Sequence, residues 1–459
     1  MKKSTDNQKR KKTSEQSLSR REFVKKSSTG LAGVAALGHF PYVLTHAAPD
    51  EKIIVGVVGC GGRGTGAALD VVKAATNIIY PMEGYHTEDA AEGAKPTVEG
   101  IEIMALGDVF PDRLNNCKMQ LQKVGIEVQD KYCFTGFDAY KQLLEIPQIN
   151  YVILTTPPHF RPVQLRAVVE AGKNVFIEKP AAVDATGVRS IIESGEIARK
   201  KGLAIGAGTN RRRDNFTRKM IARIHEGDIG NIKALYTEFL IGELWSVDRE
   251  AGWSDMEFQL RNWLYYTYLG GDLIVEQFVH TIDAMNWVVG ANPVKAVALG
   301  GRQVRTDPKF GNIYDHISVQ FEYPDGILGF CQDRQINGCV NRVRDVVIGT
   351  KGRAFMGYPS YIQYDDGKSW RLREDRNNAY QVEHEELIKS IREGNPINEA
   401  RQVAESTLTS IMGREAAYSG REITWDDMMN SKQDLSLDNY AFGDMPMPPV
   451  AMPGKYDFV

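Results

Sequence analysis

The sequence predicts an α/β protein of two domains: a doubly wound parallel sheet, then a second α/β domain built on an antiparallel sheet. Three observations carry this. Near residue 53 a buried strand runs into a glycine loop and then a helix. Strand and helix patterns alternate from there to residue 205, as parallel strands joined by crossover helices require. From about Gly206 the strands instead alternate apolar and polar residues, with turn signals such as Pro324-Asp325-Gly326 between them, as in an antiparallel sheet with one face under helices. A chain of 459 residues is too long for one hydrophobic core. The expected division is an export signal over 1–48, a first domain over 49–205, a second over 206–430 and a Pro- and Met-rich tail over 431–459.

The N-terminal stretch is basic and contains Ser19-Arg20-Arg21-Glu22-Phe23-Val24-Lys25, the pattern of a twin-arginine signal. The apolar run Thr29 to Gly38 is too short to span a bilayer, and Thr45-His46-Ala47-Ala48 offers small residues for cleavage. A periplasmic or otherwise exported protein is expected, with no stable membrane insertion once the signal is removed. Residues 1–48 carry ten Lys/Arg and three Asp/Glu, which leaves 46 basic and 56 acidic residues, a net charge of −10. A chain that acidic is a poor non-specific binder of nucleic acid. Five cysteines (Cys60, Cys117, Cys133, Cys331, Cys339) show neither a CxxC pair nor metal-ligand spacing, so no metal site is expected.

In the first domain, Ile53–Val58 is a buried strand that opens into Gly59-Cys60-Gly61-Gly62-Arg63-Gly64, a G-x-G-x-x-G followed by a helix pattern over 65–74. Between strand and helix this is a dinucleotide fingerprint. The first glycine makes the turn, the second admits the pyrophosphate, and the third lets helix pack on strand, while the helix N-terminus attracts phosphate. Arg63 is positioned to add a phosphate contact. The next strand runs from Ile101 and closes at Gly107-Asp108. An acidic residue there suits the adenosine ribose and favours NAD over NADP. The intervening polar segment, about Tyr80–Gly100, reads as an inserted surface loop. Further helices are expected over 111–124, 138–145, 161–171 and 184–201, with strands over 132–134, 151–155, 174–179 and 203–205. One strand ends in Thr156-Pro157-Pro158-His159, and another, Val175-Phe176-Ile177, in Glu178-Lys179-Pro180. Strand ends gather on one edge of such a sheet, where ligands bind. Gly59 to Gly64, Asp108, Thr156, Pro157, His159, Glu178 and Lys179 are therefore the candidate cofactor-binding residues.

In the second domain, strands are expected over 232–240, 296–300, 316–323, 327–334, 345–349, 353–356 and 361–364, with helices over 213–227, 383–393 and 400–419. An aromatic-rich segment holds Trp245, Trp253, Trp263, Tyr265 and Tyr266. Its rings suit either core packing or stacking on a ligand. Gly270-Gly271-Asp272 leads into a helix expected to continue through Trp287. On it Glu276 and His280 are four apart and share a face, so the carboxylate can set the imidazole's tautomer for work on a substrate hydroxyl.

The glycine loop, Glu178-Lys179-Pro180 and the Gly-Gly…His280 helix, in that order, resemble the Gfo/Idh/MocA oxidoreductase family over roughly Lys52 to Trp425. The resemblance implies a Rossmann domain, a C-terminal domain with an open, mainly antiparallel sheet, homo-oligomers, and NAD-dependent chemistry on sugars or cyclitols. It also places Lys179 and His280 beside the nicotinamide as catalytic residues. The family often carries Asp four residues before the histidine, where this chain has Glu276. Within the resemblance, Lys179 or His280 takes the substrate hydroxyl proton, or Lys179 donates to the developing oxyanion.

An exported enzyme finds no ready pool of NAD, so the cofactor is expected to be carried out bound and retained between turnovers. Two enzymatic readings satisfy that. One is an oxidoreductase acting on a small carbohydrate, which retention of Lys179 favours. The other is an NAD-dependent glycosidase that oxidises transiently, eliminates, adds water and reduces again. A third reading is a non-catalytic sugar-binding module, against which stand the intact glycine loop, Asp108, Lys179 and His280.

Overall fold

The computed structural model describes residues 52–80, 86–357 and 359–459; the segment expected to be a twin-arginine signal lies outside them. In chain order, the first part contains β1 (Ile53–Val58), α1 (Gly62–Val71), β2 (Thr76–Ile79), β3 (Thr87–Ala90), β4 (Ile101–Asp108), α2 (Pro111–Lys123), β5 (Cys133–Thr135), α3 (Ala139–Leu144), β6 (Tyr151–Leu154), α4 (Arg161–Glu170), β7 (Asn174–Ile177), α5 (Ala185–Lys201) and β8 (Ile205–Ala207). Six strands form one parallel sheet in the order β5-β4-β1-β6-β7-β8. β6 and β7 are buried throughout apart from Asn174. Local chemistry explains the helix limits. Pro111 opens α2, where its missing N–H costs nothing. Asp184 caps α5 by accepting from Gly187 N at 2.6 Å, and Gly202 ends it in the left-handed region at φ 68°.

The polar insertion is not a bare surface loop. β2 and β3 form an antiparallel hairpin, and Glu88 on β3 is buried against α1. Strand periodicity over four residues is too short to read from sequence, and a buried glutamate gives no apolar signal.

The second sheet is built from β9 (Ile232–Ile241), β10 (Lys295–Gly301), β11 (His316–Glu322), β12 (Leu328–Gln335), β13 (Arg342–Gly349), β14 (Gly352–Met356), β15 (Tyr361–Tyr364), β16 (Ser369–Arg371) and β17 (Ile423–Thr424). Its order is β16-β15-β14-β13-β9-β12-β11-β10-β17, antiparallel except for the β9–β12 pair. The helices that bear on the site and its support are α6 (Asn215–His225), α7 (Asp255–Arg261), α8 (Leu273–Glu276), α9 (Val279–Val289), α10 (Ala379–Arg392) and α11 (Ala400–Ser419), with short turns of helix at Thr267–Gly270 and Trp425–Asn430 besides. α10 returns to the first sheet. His384 Nδ1 meets Tyr151 OH at 2.8 Å, and Leu387, Ile388 and Ile391 join the core beneath β1 and β4.

The single helix expected from Gly270 to Trp287 is two. Asp272 stands at φ 86° and caps α8, with its buried carboxylate accepting from Leu273 N, Tyr314 N and Tyr418 OH. Between α8 and α9, Gln277 N and Phe278 N both donate to Leu273 O, a one-residue π-type widening.

The tail over 431–459 lies along its own chain. Leu435 N donates to Asp184 Oδ2 at 2.7 Å, Tyr440 OH meets His159 Nε2 at 2.9 Å, Gln259 Nε2 donates to Met445 O at 2.9 Å, and Tyr314 OH donates to Ala451 O at 3.0 Å. It therefore ties the first sheet's helices to the second domain.

Candidate active site

The strand ends of the first sheet open into a cleft. Gly59, Gly61, Gly62, Arg63, Gly64, Asp108, Thr156 and Pro157 line it, with Phe110, Phe137, Trp245 and Trp263 as an aromatic wall. The three fingerprint glycines divide the work as expected. Gly59 sits at φ 93°, and a Cβ there would meet Thr156 N at 2.6 Å. A Cβ at Gly64 would lie 1.7 Å from Gly59 O, whereas at Gly61 nothing stands within 4 Å. That open space before the N-terminus of α1 fits a pyrophosphate. Asp108 is buried and accepts from Cys60 N at 2.6 Å and Phe110 N at 2.8 Å, and its burial raises its pKa. Each oxygen keeps a lone pair for a ribose hydroxyl. Cys60 itself turns its thiol inward toward Gly107 O at 3.6 Å.

Four candidates, Arg63, Glu178, His159 and Glu276, are placed differently from expectation. Arg63 does not reach for phosphate: Nη1 donates to Glu88 at 2.6 Å, Nη2 to Asp70 at 2.9 Å, and Nε lies 3.1 Å from Glu178. Three carboxylates from three elements hold it under the loop, and this also takes Glu178 out of the cleft wall. His159 is buried, with Nδ1 2.7 Å from Tyr268 O and Nε2 on Tyr440, so it joins domains and tail rather than cofactor. Burial lowers its pKa to about 4, which keeps that bridge neutral. Glu276 does not pair with His280. The π-type widening adds a residue, about 100° of helix rotation, and carries the two side chains apart.

Glu276 pairs instead with Lys179, whose Nζ donates to its Oε1 at 2.9 Å and its carbonyl at 2.8 Å. The pair is 12% and 9% exposed, so solvent screens it weakly. Glu276 Oε2 and His280 Nδ1 are buried without a partner among the described residues. Burial, then the charges of Lys179 and Arg211, push the His280 pKa well below the usual 6.5. The Lys179–Pro180 peptide is cis.

Sequence reading passed over two residues. Arg161 donates from Nη2 to Thr156 O at 2.6 Å and from Nη1 to Pro180 O, tying the ends of β6 and β7 together; burial lowers its pKa to about 10. Its place at the start of α4, one turn past a strand end, was the available signal. His86, from the hairpin, also lines the cleft. Of the aromatic segment, Trp245 and Trp263 face the cleft, while Trp253 stacks under Arg261 and Tyr265 packs on Phe310.

The hairpin anchor is sensitive to pH. Burial raises the Glu88 pKa from 4.5 to about 7 against the pull of Arg63. A raised carboxylate pKa means the folded state binds the extra proton, so this contribution is full below pH 4.5 and is lost as pH rises through about 7. Relative to Glu88→Gln, the native chain should therefore lose melting temperature between pH 5 and 8, as measured by thermal scans of both proteins; parallel curves would contradict the assignment.

Residues 53–209 match the family described as an oxidoreductase family with an NAD-binding Rossmann fold, and residues 217–355 match the GFO/IDH/MocA C-terminal domain. Among curated relatives, a myo-inositol 2-dehydrogenase of Thermotoga maritima is 25% identical over 272 residues, covering 58% of this chain and 70% of that protein. A glycosyl hydrolase family 109 protein of Shewanella pealeana is 22% identical over 383 residues, covering 77% of this chain and 76% of that one. Among solved structures, the aldose-aldose oxidoreductase of Caulobacter crescentus, complexed with glycerol, superposes with a TM-score of 0.62 at 18% identity, over 82% of this chain and all of that one. This last likeness is one of fold.

Proposed function

The chain belongs to the Gfo/Idh/MocA family of oxidoreductases and carries its NAD-binding domain; from that premise we propose that it oxidises a hydroxyl of a sugar, glycoside or cyclitol. The observation that carries the reading is the buried Lys179–Glu276 pair, with His280 unpartnered at Nδ1 and under the charge of Lys179. NAD bound in the cleft supplies the hydride acceptor. Lys179 has three N–H donors; two are spent on Glu276, and the third remains for the substrate oxygen, where negative charge develops. His280 is neutral near pH 7 because its pKa is lowered, so Nδ1 is open to take the hydroxyl proton. Trp245 and Trp263 offer ring faces to the sugar. The test is an assay of the purified chain with myo-inositol, scyllo-inositol and common aldoses, read as nicotinamide absorbance. No change with any polyol, in a chain that holds NAD, would overturn the reading.

The glycosidase reading keeps support from the glycosyl hydrolase relatives, which span more of the chain than the inositol dehydrogenases do. Release of aglycone from a nitrophenyl glycoside without net NADH would favour it.

Export by the twin-arginine route with NAD retained completes the proposal, supported by Ser19 to Lys25 and by the tail. Phe442 stacks 5.9 Å from Phe110 and lies tilted 5.3 Å from Phe137, two rings of the cleft wall. The double variant Tyr440→Ala, Phe442→Ala should therefore lose bound NAD during gel filtration, with NAD per chain measured by mass spectrometry; unchanged occupancy would remove the tail from this role. Recovery of the native chain from the periplasm, and not of Arg20→Lys, Arg21→Lys, tests export.

A further inference from the structure

Helix α11 is buried along most of its length, yet it carries polar side chains that nothing above uses. Thr407, Arg414 and Tyr418 follow one another at seven and then four residues, so they form one stripe along the helix. All three are buried, and all three reach the segments that hold the Lys179–Glu276 pair. Thr407 Oγ1 accepts from Ala181 N at 3.0 Å, directly after Pro180. Tyr418 OH donates to Asp272 Oδ2, the cap of α8. Arg414 reaches both segments at once: its Nη1 donates to Val183 O at 2.8 Å and to Gly271 O at 3.1 Å. Val183 stands four residues after Lys179, and Gly271 five before Glu276. One nitrogen therefore bridges the segment that presents the ammonium and the segment that presents the carboxylate.

The bridge is itself held from two sides. Arg414 and Glu415 are both fully buried, and Nε and Nη2 donate to Glu415 Oε1 at 2.9 and 2.7 Å. The tail supplies the rest. Gln433 Oε1 accepts from Arg414 Nη2 at 2.9 Å, while Gln433 Nε2 donates to Glu415 Oε1 at 3.1 Å and to Tyr456 OH at 2.9 Å. A guanidinium is rigid and planar, so whatever fixes Nε and Nη2 also fixes the direction of Nη1. The Lys179 bonds to Glu276 are 2.8 and 2.9 Å long. A slip of about 1 Å between the two bridged segments would carry both past hydrogen-bond range.

We propose that Arg414 is a positioning residue that sets the reach between Lys179 and Glu276, and that Gln433 makes this setting depend on the docked tail. Arg414 touches no substrate; it acts through the two backbone segments it ties. Its effect on the pair follows from the hydrogen bonds alone. Its effect on turnover rests on the function proposed above, where the third N–H of Lys179 must meet a substrate oxygen, and displacement of a reacting group by about 1 Å is costly.

The test uses the full chain loaded with NAD and a brief pulse of acetic anhydride, with acylation read lysine by lysine by fragment mass spectrometry. The reagent reaches the Lys179 amine when it leaves Glu276. Lys173 is the control. It precedes the same strand, β7, and is buried with its Nζ on Ile146 O and Ile149 O, so a general loosening of the fold frees it as well. Arg414→Lys keeps a cation beside Glu415 but lacks the fork. Gln433→Ala removes the tail's share from a part-exposed position and leaves the buried ion pair, which keeps the test open if Arg414→Lys does not fold. Lys179 should be acylated about three- to tenfold faster in Gln433→Ala, as expected for one lost hydrogen bond, and faster still in Arg414→Lys, with Lys173 and NAD content unchanged. Equal acceleration at both lysines, or none at Lys179, would overturn the proposal. With a polyol that the native chain oxidises, kcat of the unacylated variants should fall in step with Lys179 acylation; full turnover with Lys179 freed would overturn the positioning role. Selective acylation of Lys179 in variants of a chain that oxidises no polyol sustains the bridge and defeats the oxidoreductase reading alone.

Discussion

Lys179→Met should cut turnover by about a thousandfold while NAD stays bound, because methionine keeps the length of the chain but offers no donor to the substrate oxygen. The same change strips the cation from Glu276. A buried partner left alone costs about 3–5 kcal/mol, so the single variant should also melt lower. Lys179→Met with Glu276→Gln removes the uncompensated charge and should restore much of that stability with no recovery of turnover. If turnover returned with stability, Lys179 would be a packing residue. His280→Asn should be similarly inactive. In the native enzyme the acid limb of kcat should fall well below pH 6.5, because a lowered His280 pKa keeps the ring competent as base into acid. An acid limb at or above pH 6.5 would point to another base.

Two alanine substitutions in one loop should part company. Gly64→Ala puts a methyl 1.7 Å from Gly59 O, so α1 must lift off β1, at a cost of about 2–3 kcal/mol, and NAD binding should fail with the fold. Gly61 has φ −69° and open space around it, so Gly61→Ala should leave the stability within about 0.5 kcal/mol of native. Its methyl would instead stand where the pyrophosphate passes, and NAD affinity should fall about tenfold or more, ~1.4 kcal/mol. Calorimetry of each variant with and without NAD measures both quantities. Equal NAD affinity in Gly61→Ala and the native chain would place the dinucleotide elsewhere.

What could be read from sequence was local. β1, the glycine loop and α1 are one contiguous pattern, and Lys179 announced itself by following the buried run Val175-Phe176-Ile177. The order of motifs then supplied the second domain. What could not be read was partner choice across distance. Arg63 answers to Asp70, Glu88 and Glu178, and Lys179 answers to a carboxylate 97 residues on. A spacing of four made Glu276 and His280 look like partners, since i and i+4 face together on an unbroken helix. The widening at Gln277-Phe278, which no helical periodicity reports, undid that. His159 misled in the opposite way: it stands at a strand end, yet Tyr268 and Tyr440 claim both its nitrogens.

A hydride should pass from a substrate carbon to a nicotinamide held in the glycine-loop cleft. The most direct measurement is to incubate the NAD-loaded chain with carbon-deuterated cyclitols and aldoses, release the cofactor and weigh it. Deuterium on the nicotinamide, abolished by Lys179→Met, is the result expected when the reaction is quenched during turnover, so that a deuteride lent in a hydrolytic cycle is caught before it returns to the sugar. NAD that remains unlabelled with every such substrate would contradict the account.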